Sequence, residues 1–93
     1  MNGEPPVGLI AGSGRLPFLV ARGVQSAGRP LAVVGLRGLA SPRLMDLADW
    51  FQWGGITRLS SWLGALKRRG VREAIMIGGV RKKEIYSPLR MLR

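Results

Sequence analysis

Cysteine and histidine are both absent from the 93 residues. Without cysteine there is no disulfide and no thiolate metal site. Carboxylates are scarce as well: Glu4, Asp46, Asp49, Glu73 and Glu84 are the whole set. These absences exclude a conventional zinc site or a Ser-His-Asp triad built from this chain alone. No catalytic and no metal-ligating residue is therefore assigned. No apolar run approaches the roughly 20 residues that a membrane span needs. The N-terminal Met1–Pro6 stretch lacks the basic region and apolar core of a secretory signal, so the expected location is the cytoplasm.

What is abundant is positive charge. Lysine and arginine number 15, giving a formal charge of +10. Nine of these cations lie between Lys67 and Arg93, against Glu73 and Glu84, so +7 of the charge sits there (9 − 2). That imbalance favours anionic partners: phosphorylated ligands, nucleic acid or anionic lipid headgroups. Hydrophobic residues make up 46% of the chain, which argues for a folded core rather than disorder. A chain of this length forms one small domain, burying roughly 60–68% of its unfolded surface.

Short apolar runs bounded by glycine alternate with segments of helical spacing. Val7–Ala11 reads as a buried strand, Gly12–Pro17 as a loop, and Leu16 onward as a helix carrying Leu19, Val20, Val24 and Ala27 and stopped by Gly28. Leu31–Leu36 is a second buried strand. Ser41-Pro42 caps a short helix to about Ala48, with Leu44 and Leu47 inward. Asp49–Trp53 is an aromatic strand with Trp50 and Gln52 on one face and Phe51 and Trp53 on the other. Ile56, Leu59, Leu63 and Leu66 predict an inward helix stripe, closed by Lys67–Arg69 and Gly70. Glu73–Ile77 is the fourth strand, Gly78–Lys83 a second glycine-rich loop, and Ser87-Pro88 a helix start.

This order predicts an α/β fold: a three-layer, Rossmann-like domain over residues 7–92, with a four-stranded parallel sheet in the order 3-2-1-4. Because so few residues follow Ser87-Pro88, the expectation is a chain that stops just inside a helix of a longer protein.

In a parallel sheet both glycine loops belong at the carboxyl edge, where ligands bind. Glycines at a strand-to-helix turn let backbone N–H groups approach an anion, and the helix presents its positive end. Gly12, Ser13, Gly14 and Arg15 are candidate ligand-binding residues on the first loop, and Gly78, Gly79, Arg81 and Lys82 on the second. Arg81 supplies a planar fork and Lys82 a point charge. Three readings of Gly12-x-Gly14 stay open: a tight turn, a phosphate cradle, and a dinucleotide site in which Arg37 meets a 2′-phosphate. A basic module binding a nucleotide or nucleic acid is the alternative of a different class. Against nucleic acid, no cation lies between Trp50 and Trp53, which are assigned to core or interface rather than to base stacking.

The series Ile10–Pro17 (IAGSGRLP), Gly54–Thr57 (GGIT), Lys67–Glu73 (KRRGVRE) and Met76–Lys82 (MIGGVRK) resembles the N-terminal domain of the LpxI-type UDP-2,3-diacylglucosamine pyrophosphatases of lipid A biosynthesis. The resemblance implies hydrolysis of a pyrophosphate to lipid X and UMP, with magnesium or a similar divalent metal. It implies a second, C-terminal domain carrying the catalytic aspartate, which nothing in these 93 residues matches. On that basis the chain is a ligand-binding domain, inactive alone and holding no cofactor of its own. Its expected partners are a phosphoglycolipid or UDP-sugar, the absent domain and a second copy in a homodimer, with peripheral contact at the inner membrane left open and no nucleic acid.

Overall fold

A computed structural model describes residues 4–90. It contains β1 (Val7–Ala11), α1 (Leu16–Ser26), β2 (Leu31–Leu36), a 3₁₀ turn (Pro42–Asp46), β3 (Trp50–Gly54), α2 (Leu59–Arg68), β4 (Glu73–Val80) and β5 (Lys83–Arg90). The sheet order is β3-β2-β1-β4-β5. β1 to β4 are mutually parallel, in register at Leu9↔Val33, Leu9↔Ile75 and Val33↔Phe51.

The central strands are apolar on both faces because both faces are covered. Leu9, Ala11, Leu31, Val33 and Ile77 pack with α1 and the 3₁₀ turn, whose Ala21 and Leu44 are buried. Ile10, Ala32, Val34, Leu36 and Ala74 pack against Trp62 and Leu66 of α2. The aromatic strand divides as alternation requires: Phe51 and Trp53 join the α1 side and Trp50 the α2 side. Phe51 and Trp53 meet edge to face at 5.0 Å.

The sheet corrects the all-parallel, four-stranded expectation. A fifth strand, β5, runs antiparallel to β4 from Val80↔Lys83 to Glu73↔Arg90. Ser87-Pro88 is therefore strand, not a helix start, and the expected unfinished helix is absent from the described residues; residues 91–93 lie outside them. Pro88 is tolerated because β5 is an edge strand, where a missing ladder donor costs little. Gly78–Lys83 is likewise not one loop: Gly78–Val80 extend β4, Arg81-Lys82 form a two-residue hairpin turn, and Lys83 opens β5.

The helix stripes are also redrawn. α2 starts at Leu59, and its buried face is Trp62, Ala65 and Leu66. Leu59 is 48% exposed rather than inward, because it sits on the first turn, at the carboxyl end of the sheet. In α1, Ala21 and Pro17 are buried, whereas Leu19 is exposed.

Candidate functional site

β4 is longer than β1. The two strands pair from Val7↔Glu73 to Ala11↔Ile77, so Gly78–Val80 project past the carboxyl end of β1. There they run beside the β1–α1 loop. Ser13 and Gly79 form an antiparallel bridge: the Ser13 N–H donates to the Gly79 carbonyl and the Gly79 N–H to the Ser13 carbonyl, each at 2.9 Å. The Ser13 hydroxyl donates to the same Gly79 carbonyl at 3.2 Å. The Gly12 N–H donates to the Ile77 carbonyl at 3.0 Å. The two glycine segments thus converge on one edge, as their positions after parallel strands predict.

The convergence changes what those glycines do. A Cβ on Gly12 would run into the Gly79 carbonyl. One on Gly78 would sit 2.8 Å from the Ser13 carbonyl, and one on Gly79 2.5 Å from the Ser13 hydroxyl. At Gly12 and Gly78 a second backbone occupies the space of a side chain, and at Gly79 the Ser13 hydroxyl does. The N–H groups of Gly12, Ser13 and Gly79 already donate to protein carbonyls.

Free donors remain one step further along. Gly14 takes φ +92° with open space around it, a left-handed position that suits glycine. Arg15 caps α1 without a side-chain cap, and Pro17 brings no N–H to the first turn. Among the described residues the amides of Gly14, Arg15 and Leu16 have no hydrogen-bond acceptor. They lie at the positive end of α1, which favours an anion. Gly14 and Arg15 are exposed, and Ser13 is half-buried.

Arg81 turns the hairpin next to this loop with φ +60°, the one non-glycine left-handed residue among those described. A side chain there costs roughly 1–2 kcal/mol relative to a relaxed backbone. Arg81, Lys82 and Lys83 are all exposed. Glu84 is the carboxylate beside them.

Asp46 ends the 3₁₀ turn, and the remaining three acids are elsewhere. The Asp49 carboxylate accepts from the Leu31 N–H at 2.7 Å while the Asp49 N–H donates to the Leu31 carbonyl at 2.9 Å. Glu4 lies 3.2 Å from Arg29, and Glu73 4.0 Å from Arg90. All three sit at the amino edge of the sheet. No three acidic groups come together among the described residues. The donor set therefore does not fit the divalent metal that the family resemblance implies.

Trp62 shapes the neighbouring β3–α2 loop. Its indole N–H donates to the Gly55 carbonyl at 2.7 Å, and its ring fills the space a Cβ on Gly54 would need. A tryptophan three residues into a helix carries no functional signature, and only the tertiary contact reveals its role. An open hollow of about 330 Å³ lies at the other end of the sheet, between Val7, Ile75, Tyr86 and Pro88, away from the cations of the hairpin turn.

A family model described as the LpxI N-terminal domain matches residues 6–92. No curated protein matches the chain.

Proposed function

Because the chain belongs to the LpxI N-terminal domain family, and so to the lipid A pathway, we propose that it is the ligand-cradling domain of a UDP-2,3-diacylglucosamine pyrophosphatase. In this reading it holds phosphate or diphosphate while a separate C-terminal domain supplies the metal and activates water for hydrolysis to lipid X and UMP. The observation that carries the reading is the meeting of two loops at Ser13↔Gly79. It places the unpaired Gly14, Arg15 and Leu16 amides beside the cationic hairpin turn. Amides at a helix start and a guanidinium fork are complementary to phosphate oxygens.

The candidate residues divide by role. Gly14 and Arg15 donate backbone N–H groups, and Arg81 and Lys82 supply charge. Gly12, Ser13, Gly78 and Gly79 act through the backbone by holding the hairpin against the loop. The strain at Arg81 supports a functional use, since strained positions cluster at binding sites. No step of the hydrolysis runs through this chain's own carboxylates. A cytoplasmic location with peripheral contact at the inner membrane belongs to the same reading, as does self-association through exposed apolar surface.

The experiment is calorimetric titration with lipid X and with a UDP-sugar, repeated with Arg81→Gly. Glycine fits φ +60° without strain, so this variant removes the guanidinium and keeps the turn. Binding should weaken about tenfold or more, the scale of one charge-assisted hydrogen bond. The wild-type chain with magnesium should show no turnover of UDP-2,3-diacylglucosamine. Unchanged affinity in Arg81→Gly, or metal-dependent turnover by these 93 residues, would overturn the proposal.

A further inference from the structure

Every parallel strand ends in a loop that carries an exposed cation. Arg15 follows β1, Arg37 follows β2, Arg58 follows β3, and Arg81 with Lys82 follows β4. All these loops leave the same carboxyl edge, because the four strands are parallel. Hydrogen bonds tie them together: the Arg37 N–H donates to the Gly54 carbonyl at 2.9 Å, and Ser13 pairs with Gly79. Among the described residues no carboxylate lies within 4.0 Å of Arg15, Arg37, Arg58, Arg81 or Lys82. The acids that do form ion pairs, Glu4 and Glu73, are at the opposite edge.

Neighbouring strands are spaced about 4.8 Å apart, so the row from β3 to β4 extends roughly 14 Å. One phosphate group reaches cations on one or two of these loops, not on all four. A line of unpaired like charges this long is complementary to an extended array of anions. The rim also offers aliphatic surface. Leu59, next to Arg58, is 48% exposed, and Ile56 and Leu39, in the loops after β3 and β2, are half-buried against the α2-side core. None of the rim segments 12–16, 37–41, 55–59 and 81–82 contains an aromatic residue on which a base could stack. Cations interspersed with aliphatic side chains suit an anionic lipid surface better than a nucleic acid strand.

We infer that the carboxyl edge of the sheet docks on an anionic bilayer, with Arg37 and Arg58 against lipid phosphates and Leu59 at the headgroup boundary. The inference deepens the phosphoglycolipid reading by naming the surface from which such a ligand would be taken up. Its proposed lipid contacts, Arg37, Arg58 and Leu59, lie outside the phosphate cradle, so the two can fail separately.

The test is co-sedimentation of the full chain with vesicles of phosphatidylcholine containing a quarter phosphatidylglycerol, with no glycolipid present, at 0.15 M salt. Two charge-matched variants are compared: Arg37→Glu/Arg58→Glu on the rim, and Lys67→Glu/Arg72→Glu at the amino edge. Circular dichroism melts are used to check that both fold; all four positions are exposed. The rim variant should lose vesicle affinity about tenfold or more, given roughly fivefold per cation at an anionic surface. The amino-edge variant should lose less than half as much on a logarithmic scale. Leu59→Ser should weaken binding while leaving the charge unchanged. Equal losses in the two charge variants would mean that net charge alone drives association, and would overturn the inference. So would preferential binding to single-stranded DNA over vesicles at the same salt. Lipid X affinity that survives in Arg37→Glu/Arg58→Glu would leave the cradle standing whichever way the vesicle experiment falls.

Discussion

Gly12 and Gly79 both lie where the β1–α1 loop meets β4, yet replacing them is not equivalent. A methyl group on Gly12 meets a carbonyl of the facing backbone, which moves only if the strand extension moves. A methyl group on Gly79 meets the Ser13 hydroxyl, which can rotate away at the loss of one weak hydrogen bond. Gly12→Ala should therefore destabilise by about 1–3 kcal/mol, as overpacking does, and Gly79→Ala by less, about 1 kcal/mol. Urea denaturation of the two variants measures the difference; a larger cost at Gly79 would contradict the described contact. The sequence marks both positions as unusual but does not say why. Glycine beside a ligand and glycine beside another backbone look alike until the second backbone is placed. Of the candidate residues, Gly14, Arg15, Arg81 and Lys82 keep groups that face outward, while Gly12, Ser13 and Gly79 turn their N–H groups to the protein.

Among the elements, β1, α1, β2 and β3 are legible because glycine or proline bounds each apolar run. β5 is not. Its sequence, KEIYSPLR, alternates weakly, contains a proline and is preceded by Arg81-Lys82 rather than the Asn-Gly that signals a tight hairpin. Strand character there comes from eight pairings with β4, a non-local cause that no short window contains. The inward face of α2 is legible at Leu66 but not at Trp62, which is drawn inward by the space above Gly54 and by the Gly55 carbonyl. At the opposite edge, Asp49 joins the starts of β2 and β3 by reciprocal hydrogen bonds with Leu31. Removing a charge-assisted partner from a backbone N–H costs about 1.5–3 kcal/mol. Asp49→Ala should lower stability by that amount in thermal or urea melts while leaving lipid X affinity unchanged. A parallel loss of binding in the folded variant would tie this acid to the site.

Over the whole molecule, charge and apolar surface are unevenly distributed. Among the described residues the cations of the carboxyl edge have no carboxylate partner, whereas the amino edge carries both ion pairs, the further exposed cations Lys67 and Arg72, and the hollow beside Tyr86, which is 65% exposed. Two copies associating through the cationic edge would repel, so we assign the proposed self-association to the hollow and β5. Tyr86→Lys should shift sedimentation equilibrium toward monomer at high protein concentration without altering vesicle binding. A monomer at every concentration in the wild-type chain would rule out the homodimer.

By itself the sequence determined the α/β class, the four parallel strands, the basic character and the exclusion of cysteine and histidine chemistry. These follow from composition and from periodicities local to each segment. Only the tertiary structure decided that a fifth strand returns antiparallel, that the two glycine segments hydrogen-bond to each other, and which amides this leaves open. Those outcomes depend on which backbones meet, and a backbone N–H can be satisfied by any carbonyl that the fold brings within reach.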